Sequence, residues 1–276
     1  MPDLSLWALL WPLGVAAFVW WSSTGLVLLL DGLPRRTFGL SLGLATLLAL
    51  AALVCLSRTA SHATPAGAYA AFLCALLVWG WIELTFLTGW ITGPSKRAAS
   101  PDASGWPRVM QAVDAIAHHE LLIAAMALAI VALTWHEPNP VGAWTFLVLW
   151  AMRTSAKLNL FFGVRNLSAE FLPEHLSYLG SHFRRRRMNL LFPFAVTAAT
   201  AVAAVLVHLA LAAGVTEHRQ VALLLTASLL ALGILEHWMM VLPVPSTWLW
   251  KWALRRQSAG PSEPSEAAIA AGQRGG

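Results

Sequence analysis

Charge is scarce in this chain of 276 residues. Asp, Glu, Lys and Arg make up only 11 % of it, against ~25 % in an ordinary soluble domain. That scarcity excludes a soluble globular enzyme, a disordered chain and a nucleic-acid-binding domain. Cysteine is nearly absent too. Cys55 and Cys74 both lie inside apolar runs and read as small buried hydrophobes, so there is no disulfide framework and no clue to compartment. No basic segment precedes the first apolar run, which is too long for a secretory h-region, so no cleavable signal peptide is expected. Short alternating strands are missing, which excludes a membrane β-barrel. An internal repeat is missing as well, which argues against a two-fold transporter.

What is present is apolar length. Hydrophobic residues are 58 % of the chain, and mean hydropathy is +0.65. A bilayer-spanning helix needs ~20 such residues in a row. Seven runs qualify, at about 6–30, 38–56, 67–91, 109–134, 141–162, 189–213 and 219–242. Turn-forming residues separate them, as in Asp31-Gly32-Leu33-Pro34 and Glu137-Pro138-Asn139-Pro140. The expected fold is therefore all-α: a polytopic helical membrane protein with about seven transmembrane helices, a cytoplasmic loop cap and a C-terminal interfacial helix. Residues 1–256 form the single membrane domain. The Ala-, Gly-, Ser- and Pro-rich residues 257–276 read as a disordered cytoplasmic tail.

The 18 Lys and Arg sort by side. With seven spans, fourteen share one face: Arg35, Arg36, Lys96, Arg97, Arg108, Arg165, Arg184, Arg185, Arg186, Arg187, Lys251, Arg255, Arg256 and Arg274. Only Arg58 and Arg219 lie on the other. The positive-inside rule then puts the N-terminus in the periplasm and the C-terminus in the cytoplasm. The run Arg184-Arg185-Arg186-Arg187 reads as a topology and anionic-lipid anchor, or as a docking site for an acidic partner. Residues 247–256, with Trp248, Trp250 and Trp252, read as a short helix lying at headgroup depth.

Two cations, Arg153 and Lys157, fall inside the fifth span. Ionisable groups at that depth cost ~2.5–3.5 kcal/mol each, so they are functional candidates. The set comprises Glu83, Asp114, His118, His119, Glu120, Arg153, Lys157, Glu236 and His237. At ~1.5 Å per helical residue the key members lie within ~15 Å of one another in depth. Arg153 and Lys157, spaced i, i+4, share a helix face. Glu83, Glu120 and Glu236 are their natural partners. Three readings stay open: a structural ion-pair network, a ligand or pigment pocket, and a metal site. Metal has the least support, because carboxylate-bundle centres use Glu-x-x-His, whereas neighbours such as Glu236 and His237 diverge by ~100° around a helix.

The 15 Trp divide likewise. Trp7, Trp11, Trp135 and Trp144 on one side, and Trp90, Trp106, Trp248, Trp250 and Trp252 on the other, suit interfacial belts. Trp20, Trp21, Trp79, Trp81, Trp150 and Trp238 sit at the depth of the charged cluster. They serve there as helix packing or as walls for a planar ligand. The connection between spans five and six, rich in varied polar residues and holding Arg165, Glu170, His175 and Tyr178, predicts an ordered cap of short helices with a partner-binding surface.

That connection (residues 152–193), with Glu83-Leu84-Thr85-Phe86-Leu87-Thr88-Gly89-Trp90-Ile91-Thr92-Gly93-Pro94, His119-Glu120-Leu121, Leu235-Glu236-His237-Trp238 and Leu242-Pro243-Val244-Pro245, closely resembles the PuhE family. The likeness runs from about residue 1 to 256. PuhE is a photosynthetic-complex assembly protein family of purple phototrophic bacteria, encoded beside the gene for the reaction-centre H subunit. The resemblance implies an assembly factor in the bacterial inner (intracytoplasmic) membrane. It would act on reaction-centre or core light-harvesting subunits and on bacteriochlorophyll supply, with the lipid bilayer as its other partner and no nucleic acid. It assigns no catalytic residue and no metal site. On this reading Glu83, His118, His119, Glu120, Arg153, Lys157, Glu236 and His237 form the ligand-binding set. His118, His119 or His237 can give a chlorin Mg²⁺ an axial nitrogen. Arg165, Glu170, His175, Tyr178, Arg184, Arg185, Arg186 and Arg187 form the partner-binding set. The alternative is a membrane-embedded enzyme of pigment or lipid metabolism using Glu120 or Glu236 as acid and base, and an ion-coupled transporter is the third reading.

Overall fold

Thr64 and Thr216 mark where the two innermost helices begin. Each side-chain hydroxyl accepts a backbone N–H three residues on, from Gly67 and Arg219 respectively, which satisfies one of the free donors of a helix start. Pro65 occupies the first turn of the earlier helix, where its missing N–H costs nothing. In the computed structural model, which describes residues 6–167, 172–243, 249, 250 and 252, there are seven long helices. They are α1 (Leu6–Asp31), α2 (Phe38–Thr59), α3 (Pro65–Leu87), α4 (Gly105–Leu133), α5 (Val141–Phe162), α6 (Leu191–Ala210) and α7 (Glu217–Val241). Each overlaps one of the expected spans.

Six of these helices are long and apolar enough to cross a membrane. The exception is α5, whose composition is diluted by Arg153, Lys157 and Asn159. It is nevertheless packed inside the bundle, against α3, α7, α4 and α6, where those polar groups find partners. Neighbouring helices make such a span tolerable in lipid.

Burial shows which helices are central. Some 56 % of the α3 span and 67 % of the α7 span are buried, against 17–22 % for the other four. The outer helices therefore present their apolar sides to lipid. The core between them is built from Phe72, Val78, Ile82, Ile123, Ile130, Phe146 and Leu225. Small residues set the closest approaches, as in other membrane bundles. A methyl added at Gly142 would sit 2.4 Å from Leu56, and one at Gly233 would sit 2.9 Å from Met152.

One end of the bundle carries the α1–α2, α3–α4 and α5–α6 connections and most of the basic residues. Among the described residues the α5–α6 connection holds one 3-10 segment, Glu174–His182, and the α1–α2 connection holds another, Arg35–Thr37. The rest is irregular chain tied down by backbone bonds. Arg185, expected within that cap of short helices, sits instead in chain that forms an isolated parallel bridge with Val164. The residues on either side of it close the bridge. Val164 N–H donates to Arg184 O (3.2 Å), and Arg186 N–H donates to Val164 O (3.0 Å). A helix cannot form there because the backbone groups of Val164 claim the donors and acceptors that a helical turn would use.

Polar side chains secure the same region. Arg184 N–H donates to Leu160 O (3.0 Å). Asn189 Nδ2 donates to Asn159 Oδ1 and to Gly163 O, while its Oδ1 accepts from Leu191 N–H at the start of α6. The Arg108 guanidinium donates to Phe161 O (3.1 Å) and His182 O (2.8 Å) and lies 3.9 Å above the Phe161 ring. Arg108, counted among the cations of the basic face, is buried there and clamps α4 to α5 and the cap.

The α3–α4 connection docks onto α4. Ser95 N–H donates to Asp114 O and Thr92 O accepts from His119 N–H. A Cβ at Gly93 would lie 2.0 Å from Asp114 O, so only glycine lets the two backbones meet there. Beyond α7, the chain returns along α1. Trp250 is buried against Trp20, with ring centres 5.3 Å apart, and donates to Trp21 O. Trp250 is thus no interfacial belt residue, because its ring has an aromatic partner inside the fold. Trp144 also turns inward, against the core. Trp7, Trp11, Trp90, Trp106 and Trp135 remain exposed. Trp248, Glu170, Lys251, Arg255, Arg256 and residues 257–276 lie outside the described residues.

Candidate functional site

α5 presents Arg153 and Lys157 one turn apart, and α3 and α4 each bring a carboxylate to them. Arg153 Nη2 donates to Glu83 Oε2 at 2.9 Å. Lys157 Nζ forms an ion pair with Glu120. These are the two ion pairs between side chains among the described residues. Three acids meet two cations, so one acid must find a neutral donor. That acid is Glu236, whose carboxylate accepts the indole N–H of Trp20 at 2.6 Å.

The cluster is not sealed. Glu83 is 12 % exposed, Lys157 19 %, Glu120 30 % and Arg153 40 %. Glu236 is on an exposed position of α7. A graded opening of this kind, at membrane depth, lets something other than protein reach the charges. Several inner polar atoms have no partner among the described residues: Glu83 Oε1, Arg153 Nε, Thr154 Oγ1 and both ring nitrogens of His119. Buried polar atoms are nearly always hydrogen-bonded, and leaving one unpaired costs ~1–3 kcal/mol.

The three histidines of the expected set separate. His119 is fully buried, its ring 4.3 Å from that of Phe86. His118 is exposed on another side of α4, together with Asp114, because consecutive helical residues diverge by ~100°. It does not join the cluster. His237 is buried, but both nitrogens are engaged: Nδ1 with Gly233 O and Nε2 with the Ser155 hydroxyl, each at 2.8 Å. That arrangement fixes the Nδ1–H tautomer and makes Ser155 the donor. Ser155 was not among the sequence candidates. The polar run Thr154, Ser155, Asn159 inside an apolar span is the signal that could have found it. Among the described residues no group of three or more His, Cys, Asp or Glu is placed to hold a metal ion.

The six deep tryptophans are mostly committed elsewhere. Trp79 packs edge-on to Phe146, Trp81 donates to Thr46 Oγ1, Trp238 packs on Phe192 and Trp150 lies against the core. Trp21 donates to Leu249 O. Trp20 alone of the six hydrogen-bonds one of the clustered acids.

At the basic end, Arg165, Arg184, Arg185, Arg186 and Arg187 are all exposed on backbone that is held in place. Arg185 differs from the other three of its run in where its side chain is used. Its Nε donates back to Arg165 O at 3.5 Å, a long bond that ties the two arginine-bearing strands of chain together and leaves the terminal nitrogens of the guanidinium as its outward donors. Tyr178 packs with Phe86, Leu176 and Leu179, its hydroxyl buried without a partner among the described residues, so it belongs to the cap's interior. His175 Nε2–H donates to Leu87 O at 2.8 Å. Burial holds its pKa below the ordinary imidazole value. Arg35 and Lys96 lower it further, while the bond to Leu87 and nearby Glu174 work the other way.

Residues 6–260 match the model of a family described as "Protein of unknown function (DUF3623)". The chain is 40 % identical over 244 residues to a Rhodobacter capsulatus protein described as "Uncharacterized 30.4 kDa protein in puhA 5'region". The match covers 86 % of this chain and 88 % of that protein. No solved structure matches.

Proposed function

This chain belongs to the DUF3623 family, and from that premise we propose that it is an integral membrane assembly factor for the bacterial photosynthetic reaction centre and its core light-harvesting complex. One observation carries the reading: the relative described as lying in the puhA 5′ region, which agrees with the resemblance to the PuhE family. The protein is a multi-pass membrane protein. Its placement in the inner (intracytoplasmic) membrane, with the N-terminus periplasmic and the C-terminus cytoplasmic, rests on the distribution of Lys and Arg.

The ligand it handles is bacteriochlorophyll or a pigment–protein intermediate. Support comes from the half-open polar cluster of Glu83, Glu120, Arg153, Lys157 and Glu236. Its unpartnered donors and acceptors suit a large apolar molecule with a few polar substituents. His119, whose ring nitrogens have no partner among the described residues, would be the histidine to offer a nitrogen to the pigment's magnesium once its buried ring is uncovered. His237 does not, since both of its nitrogens are bonded. Arg153 and Lys157 would meet carbonyl or carboxyl groups on the macrocycle. The basic rim of Arg165, Arg184, Arg185, Arg186 and Arg187 would meet the acidic surface of a subunit.

The test is affinity purification of the full chain in mild detergent from phototrophically grown cells. The absorption spectrum and the co-purifying subunits are then recorded. Pigment or reaction-centre subunits should accompany the wild type and be lost in H119L/R153L. A colourless preparation free of photosynthetic subunits would overturn the proposal.

A further inference from the structure

A second site lies at the basic end of the bundle, apart from the membrane-depth cluster. Four chain segments meet around a cavity of about 260 Å³. The α1–α2 connection supplies Arg35, and α2 supplies Phe38. The α3–α4 connection supplies Gly89 and Lys96, and the cap's 3-10 segment supplies His175 and Leu176. Three lining residues are basic and none is acidic. The Arg35 guanidinium makes no hydrogen bond or ion pair among the described residues. Lys96 makes one hydrogen bond, to Gly89 O at 3.3 Å, which leaves two N–H donors free. Phe38 and Leu176 are buried and give the cavity apolar walls.

The fold holds the two cations, Arg35 and Lys96, together against their repulsion, with the His175 imidazole beside them as a hydrogen-bonding wall. Gly89 has φ +78°, and a Cβ there would lie 2.9 Å from the His175 ring, so glycine permits both the turn and the ring's position. His175 is fixed by its bond to Leu87 O. Converging like charges beside low-dielectric walls raise the local potential and draw in an anion, which relieves the repulsion. A site at the end of a transmembrane bundle also sits at the level of lipid headgroups, where basic pockets between helices take phosphates.

We propose that this cavity binds a phosphate-bearing anion through Arg35 and Lys96, with the apolar walls of Phe38 and Leu176 favouring the headgroup of an anionic membrane lipid. The same phosphate chemistry is offered by a small soluble phosphate ester, and the experiment separates the two. The full chain is purified in neutral detergent. Retention of dioleoylphosphatidylglycerol and of dioleoylphosphatidylcholine is measured by native mass spectrometry, with sn-glycerol 3-phosphate as the soluble competitor. R35Q/K96Q should bind the anionic lipid about thirtyfold more weakly, about fivefold per cation. The zwitterionic lipid should be unaffected. R36Q/R97Q removes the same charge from neighbouring exposed positions that do not line the cavity, and should change retention less than about twofold. Displacement by sn-glycerol 3-phosphate identifies a soluble phosphate as the occupant; its failure to displace identifies the lipid. Equal retention by R35Q/K96Q and wild type, or an equal loss in R36Q/R97Q, overturns the proposal. Should the double variant not fold, R35Q and K96Q singly carry the same comparison, since each alters a surface side chain.

Discussion

The indole of Trp20 donates to the carboxylate of Glu236 at 2.6 Å, across 216 residues of sequence. This bond gives the acid without a cation its only side-chain hydrogen-bond donor among the described residues. It also joins α1, the α7 end and the returning chain, because Trp250 packs edge-on against the same Trp20 ring. One aromatic side chain thus couples the membrane-depth cluster to the segment that follows the last helix.

Trp20→Phe keeps a ring against Trp250 but removes the N–H. A hydrogen bond to a charged group is worth about 1.5–3 kcal/mol, so W20F should lose stability in that range. E236Q, which still offers an acceptor oxygen, should lose less than about 1 kcal/mol. Thermal unfolding of the purified variants in detergent checks the order; an E236Q loss larger than that of W20F would contradict this account.

Arg153→Met should be more damaging than removing both partners. It leaves Glu83 with neither oxygen paired at low dielectric. Breaking one side of a buried pair costs about 3–5 kcal/mol, and the 40 % exposure of Arg153 puts the expectation near the lower figure. E83M/R153M, which removes the uncompensated acid, should recover at least half of the loss. The double-mutant cycle reads the coupling directly.

Gly93→Ala tests the docking of the α3–α4 connection. The added methyl would meet Asp114 O at 2.0 Å and the Ala115 carbonyl carbon at 2.4 Å. Both are backbone, so no rotamer change relieves the clash. A loss of about 3 kcal/mol or more is expected. Gly80→Ala and Gly39→Ala, which meet nothing within 4 Å, should be neutral or stabilising by up to about 1 kcal/mol.

His175 predicts a pH dependence. Its folded pKa is lowered by burial and by Arg35 and Lys96, so the unfolded chain binds the proton more readily. Stability is therefore full above the unfolded value of about 6.5 and falls as pH drops from there through the lower folded pKa. Unfolding temperatures measured from pH 7.5 to 5 should decline for the wild type. They should decline less steeply for His175→Gln, and an identical slope would remove His175 as the cause.

Much of the cluster could be read from the sequence because charge inside a span is rare and i, i+4 spacing fixes a shared face. Arg153 and Lys157 with acids at matching depth follow from counting residues along helices. What depth and spacing leave open is rotation about the helix axis. His118 and His119 are neighbours in the chain, yet one is exposed and the other fully buried. α4 carries polar residues on more than one side, Asp114 and His118 on one and His119 on another, so the pattern does not say which of them faces inward. Arg108 shows the same limit from another direction. Its place among the cations of one face gave no sign of burial, which only the carbonyls of Phe161 and His182 explain. Arg185 shows it again in the cap, where the bridge to Val164 is a pairing between segments that no spacing within either segment reveals.

The all-helical membrane fold, the seven segments, the excess of cations at one end and the presence of charge within α5 were all legible along the chain. Those properties depend on hydropathy, length and spacing, which are local. Tertiary structure alone decided that Glu236 takes Trp20 and not a cation, that His237 is spent on Ser155 and Gly233, and that Trp250 leaves the interface for α1. It also decided that Arg35, Lys96 and His175 converge on one cavity. These outcomes depend on how each helix is rotated and how the connections fold back, which packing across the bundle sets, and packing joins residues that no local pattern relates.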